Sequence, residues 1–163
     1  MNWTVYLSGE IHSDWRQQII DGSKIHNLPI TFTSAVTNHE DSDAAGDMLG
    51  AETTSFWRDH KSSKVNAIRT RTQLENCDIA VIRFGAKYKQ WNAAFDAGFC
   101  AAKSKPYITL HDEDIVHALK EVDVISHGPS VRDDRAADVV LAPEELLLRY
   151  GKALEGLPIE VLE

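Results

Sequence analysis

The sequence predicts one α/β domain built on a doubly wound parallel sheet. Short apolar runs of strand length alternate with longer segments at helical spacing. Two runs, IAVI from Ile79 and YITL from Tyr107, are almost wholly apolar, as in strands covered on both faces. The 163 residues suffice for one core and fall short of the length at which cores divide, so residues 1–163 are read as a single domain.

Each element has its own signal. Val5–Ser8 is an apolar run stopped by Gly9. Asp14 is an N-cap residue for a helix to about His26 that buries Trp15, Ile19 and Ile20, and Gln17 stands where a capping box needs it. Pro29 opens a second strand, Ile30–Ala35. Asn38–Glu52 is polar and acidic, a long loop with a short helix. A helix follows over Ser55–Asn76, then a third strand, Ile79–Phe84, stopped by Gly85. Trp91–Ser104 is rich in alanine and apolar on nearly every side, which predicts a buried helix. Pro106 opens a fourth strand, Tyr107–Leu110. Ala137–Leu141 reads as a fifth, and Glu144–Leu154 as a closing helix. Strands separated by helices imply parallel pairing, and five of them give a Rossmann-like or flavodoxin-like sheet in the order 2-1-3-4-5. Ligands bind such sheets beyond the carboxyl ends of the strands, where the order reverses. That places a site between SGEIHSDW after strand one and FGAKYKQWN after strand three.

Composition narrows the function. A net charge of −8 disfavours a nucleic-acid polymer as partner, because such binding needs a basic surface. No signal segment and no membrane-length apolar run is seen. The two cysteines, Cys77 and Cys100, sit in apolar contexts, as buried thiols in a reducing cytoplasm do. From Arg58 to Lys89 basic residues outnumber acidic ones; this is either a solvated helix face or a field that draws a small anion.

The helix from Trp91 carries one carboxylate, Asp96, near its positive N-terminal end, which favours the ionised form. Asn92 lies one turn earlier on the same face and can orient it. A charge in an apolar helix is paired or functional, so Asp96 is either a structural anchor or a reactive group. Strand one brings Tyr6 toward the same sheet edge, where its hydroxyl can donate to a carboxylate. Glu10 and His12 follow that strand and can face the cleft, with acid–base or sugar-binding roles set against plain solvation. Trp15 and Trp91 can stack on a base, although Trp15 also reads as helix core. Ser8, Ser13 and Arg16 can meet a phosphate at the first helix N-terminus. NHEDSD (Asn38–Asp43) and HDED (His111–Asp114) are acidic but lack convincing metal spacing, so no metal site is assigned.

YLSG in strand one, with DAGFCAAKSKP before strand four, resembles the nucleoside 2-deoxyribosyltransferase superfamily. That superfamily carries Y-L-x-G and E-x-G-x-A-x-A-x-x-K-P. The resemblance is closer to its YtoQ family, on YLSGEIHSDWR, LPITF, NHEDSD, FGAKYKQWNAAFDA and AKSKP, from residue 6 to about 110. It implies N-glycosyl transfer or hydrolysis on a small nucleoside or nucleotide, with Asp96 as nucleophile and Tyr6 as its orienting donor. Ser8, Gly9, Glu10, His12, Trp15, Gln90, Trp91 and Asn92 would bind substrate. It implies no cofactor and a homodimer or higher homo-oligomer. Asp96 stands where those enzymes carry Glu. Gln90 and Thr70, the latter flanked by Arg69 and Arg71, stand where they carry acids, which suggests a different ligand and leaves open whether it is phosphorylated. A nucleotide-binding sensor without turnover is the alternative.

Overall fold

Strand β1, Trp3–Gly9, occupies the middle of the sheet, and its alternation organises both layers. Val5 and Leu7 face one side. There they pack with Trp15 and Ile19 of helix α1, Trp15–Ile25, and with Ile79, Val81, Ile108 and Leu110 of later strands. Tyr6 faces the other side, with Ala80, Ile82, Phe84 and Tyr107, under helices α3, Ser55–Asn76, and α4, Trp91–Ala102. Burying each of these large apolar side chains stabilises the fold by roughly 1.5–3 kcal/mol. The fold comes from a computed structural model that describes residues 2–86, 90–111, 122 and 130–132.

Strands β2, Ile30–Ser34, β3, Ile79–Phe84, and β4, Tyr107–His111, are all parallel to their neighbours. With β5 at Ser130–Arg132, the order is β2-β1-β3-β4-β5, so the reversal falls between β1 and β3. Asp78 starts that pairing: its Oδ2 accepts from the Thr4 N–H at 2.7 Å, and its own N–H donates to the Thr4 carbonyl at 2.8 Å. Lys105 closes the C-terminal end of α3 by donating to the carbonyls of Glu75 and Cys77, which are orphan acceptors at a helix C-terminus. Between β2 and α3 the acidic segment holds a short helix α2, His39–Asp43, capped by the Asn38 side chain, and a 3-10 turn, Asp47–Leu49.

Three expectations are corrected. The capping box of α1 does not form: Gln17 donates to Asp21 at 2.8 Å, and Asp14 instead accepts from Gln18 at 2.9 Å. Helix α4 stops at Ala102, and its outer face is open, with Trp91 73% and Phe95 75% exposed. An apolar helix needs cover, and among the described residues α3, β1 and β3 cover only one side of it. The strand beside β4 is the three-residue β5, Ser130–Arg132. The run at 137–141 and the helix at 144–154 lie outside the described residues. No helix among the described residues is long and apolar enough to cross a membrane.

Candidate active site

At the carboxyl end of β1 the chain turns on Gly9, whose φ of 103° suits glycine. A β-carbon there would stand 2.0 Å from the Arg83 carbonyl oxygen, so β1 leaves the sheet pressed against β3. The following loop is held from beneath by Arg16. Its guanidinium donates to the carbonyls of Leu7 at 3.3 Å, Gly9 at 3.1 Å and Glu10 at 2.5 Å, and lies 4.4 Å over the Trp15 ring. Burial lowers the Arg16 pKa to about 10, with the Glu10 charge opposing the shift. Glu10 turns its carboxylate back on the loop, accepting from the His12 N–H and from the Ser13 hydroxyl.

Asp96 is the sixth residue of α4 and 7% exposed. Its Oδ2 accepts from the Ser8 hydroxyl at 2.5 Å, across the α4–β1 contact. Its Oδ1 accepts no hydrogen bond among the described residues. Burial raises its pKa, and the Ser8 bond opposes that rise. Asp96 thus lies beyond the first helical turn, where the macrodipole has faded; burial and Ser8 set its charge state. The same period-2 alternation points Tyr6 and Ser8 to one face. Tyr6 reaches past the carboxylate to Thr70 of α3: the hydroxyls lie 3.5 Å apart. Desolvation raises the Tyr6 pKa and the Asp96 charge adds to it, while Thr70 opposes it. The orienting hydroxyl on Asp96 is therefore Ser8, not Tyr6.

Between α3 and α4 a cavity of about 980 Å³ opens over β1. Among the residues expected from sequence, Tyr6, Ser8, Gly9, Glu10, His12, Gln90, Trp91, Asn92 and Asp96 all line it. Trp15 does not. It is 1% exposed in the α1 layer, where its Nε1 donates to the Glu10 carbonyl at 2.8 Å, so it is core and not a stacking surface. The Ser8, Ser13 and Arg16 side chains already bond Asp96, Glu10 and backbone carbonyls. The phosphate expected among them finds no built site there. NHEDSD is the capped α2 helix, and no group of three metal-ligating side chains occurs among the described residues; most of HDED lies outside them. Gln90 starts α4 in the left-handed region, at φ 48°, a conformation that costs a non-glycine residue about 1 kcal/mol or more.

The wall contributed by α3 was not expected. Asn66, Arg69, Thr70 and Arg71 line it, and His39 of α2 stands at the rim with its ring 5.7 Å from that of His12. The one sequence signal was Thr70 between two arginines, at the position where the resemblance expects an acid.

The arrangement is a half-shielded carboxylate, one oxygen held by Ser8 and the other without a hydrogen bond among the described residues, at the wall of a cavity large enough for a nucleoside-sized ligand. A 2-deoxyribosyltransferase from the psychrotolerant bacterium Bacillus psychrosaccharolyticus shares the fold, with a TM-score of 0.52 over 84% of this chain and 90% of that one, at 15% identity. In sequence, the chain is 42% identical to a Bacillus subtilis (strain 168) protein named "uncharacterized protein YtoQ", over 75% of this chain and 83% of that protein. The family described as nucleoside 2-deoxyribosyltransferase YtoQ matches residues 6–141, from Tyr6 past the last conspicuous motif and across the whole cavity wall. That span is more than four fifths of the chain, so the chain belongs to the nucleoside 2-deoxyribosyltransferase YtoQ family.

Proposed function

We propose that this protein breaks the N-glycosidic bond of a nucleoside or nucleotide, with Asp96 as nucleophile, and passes the sugar to water or to a second base. The observation that carries the reading is the asymmetric carboxylate: Oδ2 is held by Ser8 at 2.5 Å, and Oδ1 accepts no hydrogen bond among the described residues. Attack by Oδ1 on the anomeric carbon forms a glycosyl ester as the carbon–nitrogen bond breaks through an oxocarbenium-like transition state. The bonding pair goes to the base nitrogen, which takes a proton from the rim, where His12 and Glu10 stand. Water or the incoming base then attacks the same carbon and releases the carboxylate, so the product keeps the starting configuration. Ser8 is a positioning residue. Tyr6 sets the floor and, through Thr70, its distance from α3. Gln90, Trp91 and Asn92 shape the α4 entrance, and Gly9 allows the backbone to approach.

The test is chromatography for released base over a panel of nucleosides and their monophosphates, with wild type and Asp96→Asn. Release by wild type and none by Asp96→Asn supports the reading. Equal ligand binding by both with no release from either refutes it and favours a sensor.

The reading includes a homo-oligomer. Trp91, Ala94, Phe95 and Gly98 form an exposed stripe at helical spacing on α4, and a stripe of that kind marks an association surface. Phe95→Glu should shift the protein to monomer by light scattering with its circular dichroism retained; an unchanged mass removes α4 from the interface. Cytoplasmic residence belongs to the same reading, and the free, buried Cys77 and Cys100 support it.

A further inference from the structure

The charged groups lining the cavity are unevenly committed. Of the acids, Glu10 has its carboxylate engaged by His12 and Ser13, and Asp96 has Oδ2 engaged by Ser8. Of the arginines on α3, Arg71 pairs with Glu75 at 3.1 Å. Arg69 makes no ion pair or hydrogen bond among the described residues, although the chain as a whole carries a charge of −8. Its neighbour Thr70 lies 3.5 Å from the Tyr6 hydroxyl, and Tyr6 stands two positions before Ser8. That contact places the turn of α3 carrying Arg69 against β1, whose Ser8 bonds Asp96.

An uncommitted guanidinium on the wall of a small-molecule cavity asks for an anion on the ligand. Its planar fork matches phosphate oxygens bidentately. A sugar phosphate also brings negative charge toward Asp96, and a cation across the cavity offsets the repulsion. Resting on the N-glycosidic reading above, we propose that the substrate is a nucleoside monophosphate and that Arg69 is its phosphate-binding residue. The base then lies against the apolar side of the cavity, where Phe99 lines it.

The experiment compares base release from nucleosides, 5′-monophosphates and 3′-monophosphates by wild type, Arg69→Ala and Lys64→Ala. Lys64 is an exposed cation of the same helix outside the cavity lining, so its loss controls for general charge. Wild type should prefer one monophosphate class over the nucleoside by at least about tenfold in kcat/KM. Arg69→Ala should erase that preference through KM, and Lys64→Ala should keep it. Release from nucleosides without such a preference overturns the phosphate assignment and leaves the N-glycosidic reading standing. If nothing is released from any substrate, the N-glycosidic reading falls. The phosphate assignment is then decided by calorimetry with the same monophosphates: binding that Arg69→Ala weakens at least about tenfold and Lys64→Ala does not supports it, and any other result overturns it.

Discussion

Removing the Ser8 hydroxyl is the sharpest probe of the site. In Ser8→Ala the carboxylate of Asp96 loses its 2.5 Å donor while the strand position is unaltered. Ser8 is 1% exposed and Asp96 7%, so water does not readily replace the lost bond. A hydrogen bond to a charged group contributes about 1.5–3 kcal/mol. At 1.36 kcal/mol per factor of ten, that is a loss of about 10- to 150-fold in kcat/KM near neutral pH. The sign in pH follows from the direction of the shifts. Burial already raises the Asp96 pKa, and Ser8 opposes that rise; without Ser8 the pKa climbs further, and less carboxylate is ionised at a given pH. The acid limb of kcat/KM must therefore move to higher pH. What remains of the loss at high pH measures misorientation of Asp96, the proposed nucleophile. The assay is base release across the pH range, with circular dichroism to show an intact fold. A folded Ser8→Ala protein with wild-type kcat/KM and a superimposable acid limb would refute the role proposed for the Ser8–Asp96 bond.

Three further outcomes follow from the same geometry. Tyr6→Phe removes only a 3.5 Å contact to Thr70, so it should cost less than about 1 kcal/mol of stability and lower kcat less than Ser8→Ala does; a larger kcat loss than Ser8→Ala would restore Tyr6 as the donor to Asp96. Gly9→Ala meets both a φ of 103° and a backbone oxygen at 2.0 Å, and should destabilise by at least about 3 kcal/mol in urea titration; wild-type stability would mean that the turn is not as described. Asp96→Asn should melt higher than wild type at pH 7. The folded carboxyl titrates above its ordinary 3.8, so between the two values the native state holds more protons and wild-type stability falls as pH rises. The advantage of Asn should vanish below that ordinary value; a lower Tm at pH 7 would contradict a carboxylate destabilised by burial.

The sheet was legible because its signals are local. IAVI and YITL announce strands on composition alone, and Gly9 at the end of β1 and Gly85 after β3 mark where they stop. Asp96 was legible because a lone carboxylate in an alanine-rich helix needs a reason. The choice between Tyr6 and Ser8 was not legible: alternation points both side chains to one face, and only the height of α4 over the strand decides which reaches the carboxylate. Trp15 misled for a related reason. Its position beside the loop suits a stacking ring, but the face of α1 that turns inward is settled by packing with Ile19 and Leu7. The α3 wall stayed hidden because Asn66, Arg69 and Thr70 are polar residues on a weakly amphipathic helix, indistinguishable in sequence from a solvated face. The open side of α4 was missed because a run apolar all round says that cover is needed, not where the cover comes from.

The Arg16 clasp on the carbonyls of Leu7, Gly9 and Glu10 has a thermodynamic consequence. Its guanidinium is buried and oriented by the Trp15 ring and the strand end, so the β1–α1 loop acquires its shape when the chain folds. A ligand arriving at Ser8 and Gly9 meets preorganised backbone, and no ordering entropy for that loop is charged against its affinity. The free and ligand-bound forms should therefore superimpose over residues 7–16, leaving any induced fit to the helices that flank the opening.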